Sequence, residues 1–353
     1  MIRRRTLLAG AALAGTTWAA PRAPLGAQGG AQPAASGITP ELIVAAKKEG
    51  KVAHYTSDDL SIASRVGKLF EQKYPGITFQ LERSGAERNY QRISQEYASS
   101  IFAVDVITSS DLSYIVSWKQ SGMITPYVPE EILSWPAAGR DPDGFYAKPF
   151  YTLMVPGYST RLVKPEEAPK TWSDLLDPKW RGKIVKAHPG YSGTIMTGTY
   201  ALSRALGWGF YEKLAKQGVM QVQSAIDPPH RVAQGERAIM ADSSENTSIR
   251  VQEAGGTLAI FYPPEGAPVV PIAAAVMTRA PRPNAARLLA HFIASPEVQQ
   301  IYVDGGARSF SPTVRVPAGR TPDAQIKLLH SDPAEVARET ENIRKLYTRY
   351  FAI

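Results

Sequence analysis

Cysteine is absent from the 353-residue chain. Its absence excludes a disulfide framework, a thiolate metal site, a cysteine nucleophile and a lipid-modified N-terminal cysteine. Histidine is scarce, and its five residues are scattered singly instead of being grouped as metal ligands. Hydrophobic residues make up 44% of the chain, which suffices for a substantial core, and at roughly 150 residues per domain the length favours two domains.

Recognisable catalytic motifs are missing as well. The sequence contains no Gly-x-Ser-x-Gly elbow, no phosphate loop ending in Gly-Lys-Ser/Thr and no His-Glu-x-x-His. The adjacent acids Asp58 and Asp59 follow a predicted strand, where a helix cap is the favoured role over an acid–base pair. We therefore expect no enzyme, with one alternative left open: a secreted enzyme that uses Asp58, Asp242 or Glu245 as its acid or base.

The N-terminus has the pattern of an export signal. Three arginines at 3–5 precede an apolar run over 7–20, which is too short to span a bilayer and fits the twin-arginine pattern. We expect residues 1–27 to be removed and 28–38 to form a flexible leader. Removal lowers the formal charge from +8 to +4, which is too mild to predict a nucleic-acid partner. No other stretch is apolar enough to cross a membrane, so a soluble, monomeric periplasmic protein is expected.

Hydrophobic periodicity predicts an α/β fold with two lobes. Strand and helix patterns alternate between residues 51 and 118, and a second alternating set lies between 183 and 262. Extended apolar runs at 150–158 and 269–277 are predicted to be two hinge crossovers. Each lobe is then a mostly parallel sheet flanked by helices. The predicted first lobe is 39–150 plus 267–305, and the second is 151–266 plus 306–353.

Ligands of open α/β sheets bind at the carboxyl ends of strands, so the turns after the predicted strands are candidate site residues. These turns carry hydroxyls and precede helices: Thr56-Ser57, Ser84-Gly85, Ser109-Ser110, Ser192-Gly193-Thr194 and Ser243-Ser244. Helix N-termini offer unpaired amides and partial positive charge, so several in one cleft would form an anion receptor, although each serine alone would suit a helix cap.

Six further residues complete the predicted site. Arg88 can clamp an anion with two hydrogen bonds, and Tyr151 and Tyr191 can supply apolar walls, although Tyr151 favours hinge packing. Asp58, Asp242 and Glu245 are the acids that would serve a cationic or metal ligand.

Six blocks of sequence resemble the extracellular solute-binding proteins of ABC importers, in the group that contains the ferric-iron-binding proteins. They lie at 50–57, 69–77 (LFEQKYPGI), 103–106, 171–184 (TWSDLLDPKWRGKI), 264–266 and 292–299. Each block is weak alone, but their order and spacing extend over nearly the whole chain after residue 27. The resemblance implies a type II periplasmic-binding-protein fold that closes around a solute, and an ABC permease as partner.

The iron-binding pattern of that group is not matched. Where the ferric members carry two adjacent tyrosines, this chain has Ser243-Ser244-Glu245; the first-lobe acid falls at Asp58 or Asp59, and a further glutamate position is occupied by Ser110. Ferric iron requires hard anionic oxygen ligands, which serine hydroxyls do not replace. We therefore expect no metal and no cofactor, and a small oxyanion-bearing organic solute such as a carboxylate, phosphonate or phosphate ester. Ferric iron or a ferric chelate is one alternative, and a sensor that presents its ligand to a membrane kinase is another.

Overall fold

The structure is a computed structural model that describes residues 33–352. The predicted export signal, 1–27, lies outside these residues. The predicted leader is described only from residue 33, and Ser36 already exchanges backbone hydrogen bonds with Val128 and Glu130. The ordered chain therefore begins before the predicted start at Thr39, whose hydroxyl accepts from the Leu42 amide and caps the first helix as expected.

Thirteen strands and eleven α-helices are found within the described residues. The strands are β1 Lys51–Thr56, β2 Thr78–Arg83, β3 Val106–Ser109, β4 Ile124–Thr125, β5 Ala147–Leu153, β6 Gly157–Ser159, β7 Ile184–Ala187, β8 Met220–Val222, β9 Ile239–Met240, β10 Leu258–Ile260, β11 Ala267–Met277, β12 Arg308–Ser309 and β13 Leu328–Leu329. The helices are α1 Pro40–Glu49, α2 Leu60–Lys73, α3 Ala86–Ala98, α4 Leu112–Gln120, α5 Gly193–Leu206, α6 Trp208–Ala215, α7 Asp227–Ala233, α8 Glu245–Glu253, α9 Pro283–Ala294, α10 Pro296–Asp304 and α11 Pro333–Phe351.

The larger sheet has the order β12-β5-β11-β3-β1-β2, with β4 and β13 also pairing with β11. β1 is parallel to both β2 and β3, whereas β11 is antiparallel to β3 and β5. We call this sheet with α1–α4, α9 and α10 lobe I. Its two faces are covered by separate apolar cores, one around Phe70 and Phe292 and the other around Ile93 and Trp118.

The smaller sheet has the order β10-β6-β9-β7-β8, and β7 is parallel to both β8 and β9. With α5–α8 it forms lobe II, whose core surrounds Trp172 and Tyr211. Two sheets with covering helices confirm the predicted α/β class. The sheets are mixed and not mostly parallel, because the strands next to the crossovers, β5, β6 and β11, pair antiparallel with their neighbours.

The chain passes between the sheets in two short segments. It leaves lobe I between β5 and β6, inside the predicted crossover at 150–158. It returns at 261–266, ahead of the segment predicted, because all of β11 belongs to the larger sheet. After α10, β12 and β13 pair with β5 and β11, and α11 then contacts α4 of lobe I together with α5 and α6 of lobe II. Among the described helices, none is both long and apolar enough to cross a membrane.

Candidate functional site

A cavity of about 270 Å³ lies between the lobes, at the carboxyl ends of the parallel strands of both sheets. The turns after β1, β2 and β3 line it from lobe I, and those after β7, β8 and β9 line it from lobe II. The polar lining residues are Ser57, Asp58, Asp59, Arg83, Gly85, Glu87, Arg88, Ser110, Thr152, Tyr191, Ser192, Thr194, Gln223, Ser224, Asp227, Ser244, Asn246, Thr247 and Arg250. This position follows the general rule for open α/β sheets.

Five helices, α2, α3, α5, α7 and α8, begin at the cavity wall, and only α2 and α5 are capped by the side chain of their N-cap residue. Asp59 caps α2 and Ser192 caps α5, whereas Gly85 at α3 and Ser244 at α8 make no side-chain cap hydrogen bond. At α8 the Asn246 amide is donated to the Thr152 hydroxyl at 3.4 Å. The first turns of α3 and α8, one from each lobe, therefore direct positive helix ends at the same cavity.

In lobe I the hydroxyls of the strand-end turns are held in place by one another. Ser57 Oγ accepts from the Ser110 amide at 3.0 Å and lies 3.3 Å from Ser110 Oγ, so both hydroxyls face the cavity. Behind them Thr56 Oγ1 and Thr108 Oγ1 are 2.6 Å apart and buried. A buried hydrogen bond behind the cavity wall therefore helps to fix the positions of the hydroxyls that face the cavity.

Asp58 is the most buried carboxylate in the cavity wall, with 9% of its surface exposed. Its Oδ2 accepts from Thr108 Oγ1 at 3.3 Å, and its backbone carbonyl, not its carboxylate, accepts from Arg83 Nε at 3.1 Å. Burial raises the pKa of this carboxyl to about 6, and the hydrogen bonds of Thr56 and Thr108 only partly offset that effect.

Lobe II contributes an aromatic ring and a serine hydroxyl to the cavity wall. Tyr191 is half exposed beside Ser192, and its ring lies 5.1 Å from that of His188. Ser244 Oγ lies 3.3 Å from Thr152 Oγ1, which belongs to the crossover strand β5. Hydroxyls from lobe II and from the hinge are therefore adjacent at this wall.

Four hydrogen bonds span the cavity, three of them between the two lobes and one between α11 and lobe I. Arg250 of α8 donates to Asp59 Oδ2 at 2.8 Å and to the Gly305 carbonyl at 2.7 Å. Arg88 of α3 donates to Gln223 Oε1 at 2.9 Å. On α11, Arg344 donates to Glu87 Oε2 at 2.8 Å. Because the three contacts between the lobes require them to be close, the structure shows the closed arrangement.

Nine of the seventeen residues predicted for the site line this cavity: Ser57, Asp58, Gly85, Arg88, Ser110, Tyr191, Ser192, Thr194 and Ser244. Eight do not: Thr56, Ser84, Ser109, Tyr151, Gly193, Asp242, Ser243 and Glu245.

Five of those eight serve the turns or the hinge instead. Thr56 bonds Thr108, Ser109 Oγ accepts from the Asp111 amide at 3.1 Å, and Ser243 Oγ donates to the Val155 carbonyl at 3.1 Å. Gly193 lies against Asp111 of lobe I, where a Cβ would come within 2.6 Å of the Asp111 amide. The Tyr151 hydroxyl donates to Asp323, so its role is hinge packing. Ser84 follows β2 without reaching the cavity.

The two remaining acids are buried in ion pairs. Asp242 is 2% exposed, and its carboxylate lies 2.5 Å from the Lys186 ammonium and accepts from the Ala187 amide at 3.0 Å. Glu245 is fully buried and takes two hydrogen bonds from Arg308, at 2.7 and 2.8 Å. Neither is placed to act on a bound molecule as acid, base or metal ligand.

The sequence interpretation missed the turn at 223–227, which lines lobe II after β8. Its signal was weak, because β8 has three residues and shows no alternation, although Pro228 and Pro229 do mark a helix start. Arg83 and Arg250 were missed because a charged residue at a strand end or in a helix reads as solvent-exposed unless the opposite lobe is known. In the part of the chain that the structure describes, no group of three or more histidines and acids is arranged to hold a metal ion.

Two lobes with a polar cavity between them are the architecture of a ligand-binding receptor. The chain belongs to the bacterial extracellular solute-binding protein family, whose model matches residues 103–329. A probable ABC transporter periplasmic-binding protein of Sinorhizobium fredii is 22% identical over 275 residues, which cover 75% of this chain and 76% of that protein. An uncharacterized protein of Haemophilus influenzae is 25% identical over 232 residues, covering 63% of this chain and 66% of that protein.

Solved structures agree on the fold. The periplasmic binding protein AfuA of Actinobacillus pleuropneumoniae, with fructose-6-phosphate bound, superposes with a TM-score of 0.79 at 20% identity, covering 86% of this chain and 99% of AfuA. Iron-bound HitA of Pseudomonas aeruginosa superposes with a TM-score of 0.72 at 18% identity, covering 84% of this chain and 98% of HitA. These proteins share the type II periplasmic binding fold, and the predicted resemblance is confirmed. The chain is the solute-binding component of an ABC transporter and acts with a permease, in the periplasm or outside the cell.

Proposed function

We propose that this protein captures a small organic solute bearing an oxyanion and delivers it to its permease without chemical change. The observation that carries the proposal is the pair of helix N-termini, α3 from lobe I and α8 from lobe II, that face one cavity and whose N-cap residues make no side-chain capping hydrogen bond. Amides at such ends bind phosphate and carboxylate groups. The hydroxyls of Ser57, Ser110 and Ser244 add neutral donors that carry no cost of burying extra charge.

Two arginines at the cavity wall also support an anionic group, although the same wall carries the carboxylates of Asp58 and Asp227. Asp59 is neutralised by Arg250 and Glu87 by Arg344. Arg83 and Arg88 line the cavity, and within the described residues neither has a carboxylate oxygen within 4.0 Å. Two cations without ionic partners at a cavity wall are suited to a bidentate contact with an oxyanion.

The comparisons are consistent with this solute class without choosing among its members. AfuA was solved with a phosphate ester bound, whereas HitA was solved with iron. Ferric iron remains the alternative ligand, and the donor set disfavours it, because the tyrosine pair is replaced by Ser243-Ser244 and the described residues form no metal-holding cluster.

Closure supplies the mechanism of capture and signalling. The open receptor binds the solute on one lobe, and the contacts that only the closed state makes shift the population toward closure. Contacts such as Arg250 with Asp59 and the Gly305 carbonyl then hold the lobes together around the solute. We propose that the protein does this as a monomer in the periplasm, after loss of residues 1–27, with no catalytic step.

A ligand screen tests the proposal. The mature protein is heated with carboxylates, phosphonates, sugar phosphates, ferric citrate, thiamine and polyamines, and the affinity of each stabilising compound is measured by calorimetry. We expect an oxyanion-bearing solute to raise the melting temperature most, since ligands that bind only the folded state stabilise it. Mass spectrometry should recover it intact. Preference for a polycation or for free ferric iron would contradict the proposal.

The site itself is tested by two double variants from strand-end turns, each with one serine from each lobe. Ser57→Ala with Ser244→Ala removes one cavity hydroxyl from each lobe and should weaken binding by about 10- to 30-fold, at roughly 1 kcal/mol for each hydrogen bond. Ser109→Ala with Ser243→Ala removes neighbouring hydroxyls that are buried behind the cavity. This control pair should lower the melting temperature and leave the affinity of the folded protein unchanged. Equal affinity losses in the two pairs would refute the assignment of the cavity hydroxyls.

A further inference from the structure

Asp58 is a buried carboxylate without an ion-pair partner. It is nine-tenths buried and lines the cavity, yet among the described residues no lysine, arginine or histidine nitrogen lies within 4.0 Å of its carboxylate oxygens, and the Arg83 charge only partly offsets the effect of burial. Of the three other well-buried acids near the site, Asp242 and Glu245 have such a partner, whereas Asp111 is a helix cap outside the cavity wall and accepts from the Ser113 amide and hydroxyl. An unpaired carboxylate in a low-dielectric site is costly unless a bound group completes it.

The groups that face Asp58 supply hydroxyl donors but no ion-pair partner for its carboxylate. From β2, Arg83 bonds the backbone carbonyl of Asp58; from β3, the Thr108 hydroxyl approaches at 3.3 Å. Asp59 on the same turn is an acid and is already paired with Arg250. Tyr302 of α10, whose pKa is raised by its burial and by Asp58, stacks on Phe150 at 4.1 Å.

Apolar side chains form part of the cavity wall that Asp58 shares. Ile62, Phe150, Ile272 and Tyr302 line the same cavity. Few protein groups donate hydrogen bonds to the Asp58 carboxylate, and its negative charge repels an oxyanion brought next to it. Its free hydrogen-bonding capacity is therefore available to a donor group of the solute.

We propose that Asp58 is a specificity-determining residue that requires a hydrogen-bond donor on the solute, a hydroxyl or an ammonium group, in addition to its oxyanion. This inference rests on the proposed function, because the oxyanion occupies the amide and hydroxyl donors at α3 and α8. The solute then carries both an oxyanion and a hydrogen-bond donor, and Asp58 determines its orientation in the cavity. Small free oxyanions such as inorganic phosphate are rejected, since they satisfy one half of the site and leave Asp58 unpaired.

Three phosphate esters of similar size test the proposal: fructose 6-phosphate, glucosamine 6-phosphate and hexyl phosphate. Calorimetry on the full mature protein at pH 7.5 should give at least tenfold tighter binding for the two donor-bearing esters than for hexyl phosphate. Inorganic phosphate should bind more weakly than either. In Asp58→Asn the affinities for the donor-bearing esters and for hexyl phosphate should differ by no more than about threefold. The affinity of this variant for inorganic phosphate should be equal to or higher than that of the wild type.

Asp227→Asn is the matched control, because Asp227 also lines the cavity but already accepts from the Ser224 amide at 3.1 Å. It should retain the donor preference. A preference that survives in Asp58→Asn, or one that Asp227→Asn abolishes equally, overturns the role of Asp58 while leaving the oxyanion function intact. Failure of every phosphate probe to bind, with binding of a polycation instead, overturns the proposed function itself.

The wild-type protein separates hydroxyl from ammonium recognition without any variant. An ammonium depends on the charge of Asp58, so glucosamine 6-phosphate should bind more weakly as the pH falls from 7 to 5. A hydroxyl can also accept a hydrogen bond from the protonated acid. The affinity for fructose 6-phosphate should therefore fall less over this pH range than the affinity for glucosamine 6-phosphate. A ratio of the two affinities that does not change with pH would count against direct contact with Asp58.

Discussion

Three carboxylates singled out by the same sequence pattern have three different environments. Asp58 faces the cavity without a cation, Asp242 is buried against Lys186, and Glu245 is held by two hydrogen bonds from Arg308. All three follow strands, and the sequence around them cannot separate them, because the residues that pair Asp242 and Glu245 lie 56 and 63 positions away. Only the fold decides which acid remains available to a solute.

Asp58→Asn is expected to stabilise the unliganded protein at neutral pH. Burial raises the pKa of Asp58 to about 6, so ionising it costs the folded state stability, and this cost appears as the pH rises from about 4 to about 6. The variant should raise the free energy of unfolding by about 1–3 kcal/mol at pH 7.5 and by little at pH 4. Urea unfolding at the two pH values measures the difference.

Asp59→Asn is the control at the neighbouring position, and it should lower the free energy of unfolding at neutral pH instead of raising it. Burial alone would raise the pKa of Asp59, but hydrogen bonds from Ser61 and the Arg250 guanidinium hold it below its ordinary value. Its charge therefore stabilises the folded state at neutral pH, and the variant should be less stable at pH 7.5. A destabilised Asp58→Asn at that pH would show that the Asp58 charge is compensated in the folded state.

At the scale of elements, the sequence predicted well where a strand end and a helix start follow one another. The turns after β1, β2, β3, β7 and β9 were all predicted, and each contributes at least one residue to the cavity wall. Which residue of a turn faces the cavity was not predictable: Ser110 lines it while Ser109 bonds its own turn, and Ser244 lines it while Ser243 bonds Val155. That alternation depends on backbone direction at the strand end.

The start of α5 provides an element-level prediction, because Gly193 there touches lobe I. A Cβ at this position would lie 2.5 Å from the Asp111 Cβ and 2.6 Å from the Asp111 amide, both closer than atoms can approach. Gly193→Ala should therefore hinder closure and weaken solute binding by roughly tenfold or more, while each lobe stays folded. Small-angle scattering at saturating solute should give a larger radius of gyration than for the wild type.

Gly209→Ala is the control for that experiment. Gly209 lies in α6 with no other atom near its missing Cβ. The alanine should bind solute as the wild type does and gain some helix stability. If Gly193→Ala closes and binds like this control, then Gly193 does not set the approach of the lobes.

At the scale of the whole molecule, the two-lobed α/β organisation was accessible from periodicity and from the order of the six blocks. The contacts between the lobes were not. Arg250 and Asp59 are 191 positions apart, and Arg344 and Glu87 are 257 apart. Local patterns carry no information about such pairs, so the sequence predicted a cleft but could not say which side chains hold it closed.

In the mechanism that we propose, these long-range contacts link solute capture to the transporter. Closure buries the cavity and brings α8, α11 and the turn at 223–227 against lobe I in one arrangement. A permease that contacts both lobes can then distinguish the loaded from the empty receptor, because only the loaded one holds that arrangement in a large share of molecules.

A crystal structure of the protein with its tightest-binding oxyanion solute tests the central claim most directly. We predict the oxyanion oxygens within about 2.7–3.2 Å of first-turn amides of α3 and α8, with the lobes closed around them. A solute whose oxyanion lies outside this cavity, or a metal ion held there by the acids at its wall, would contradict the account.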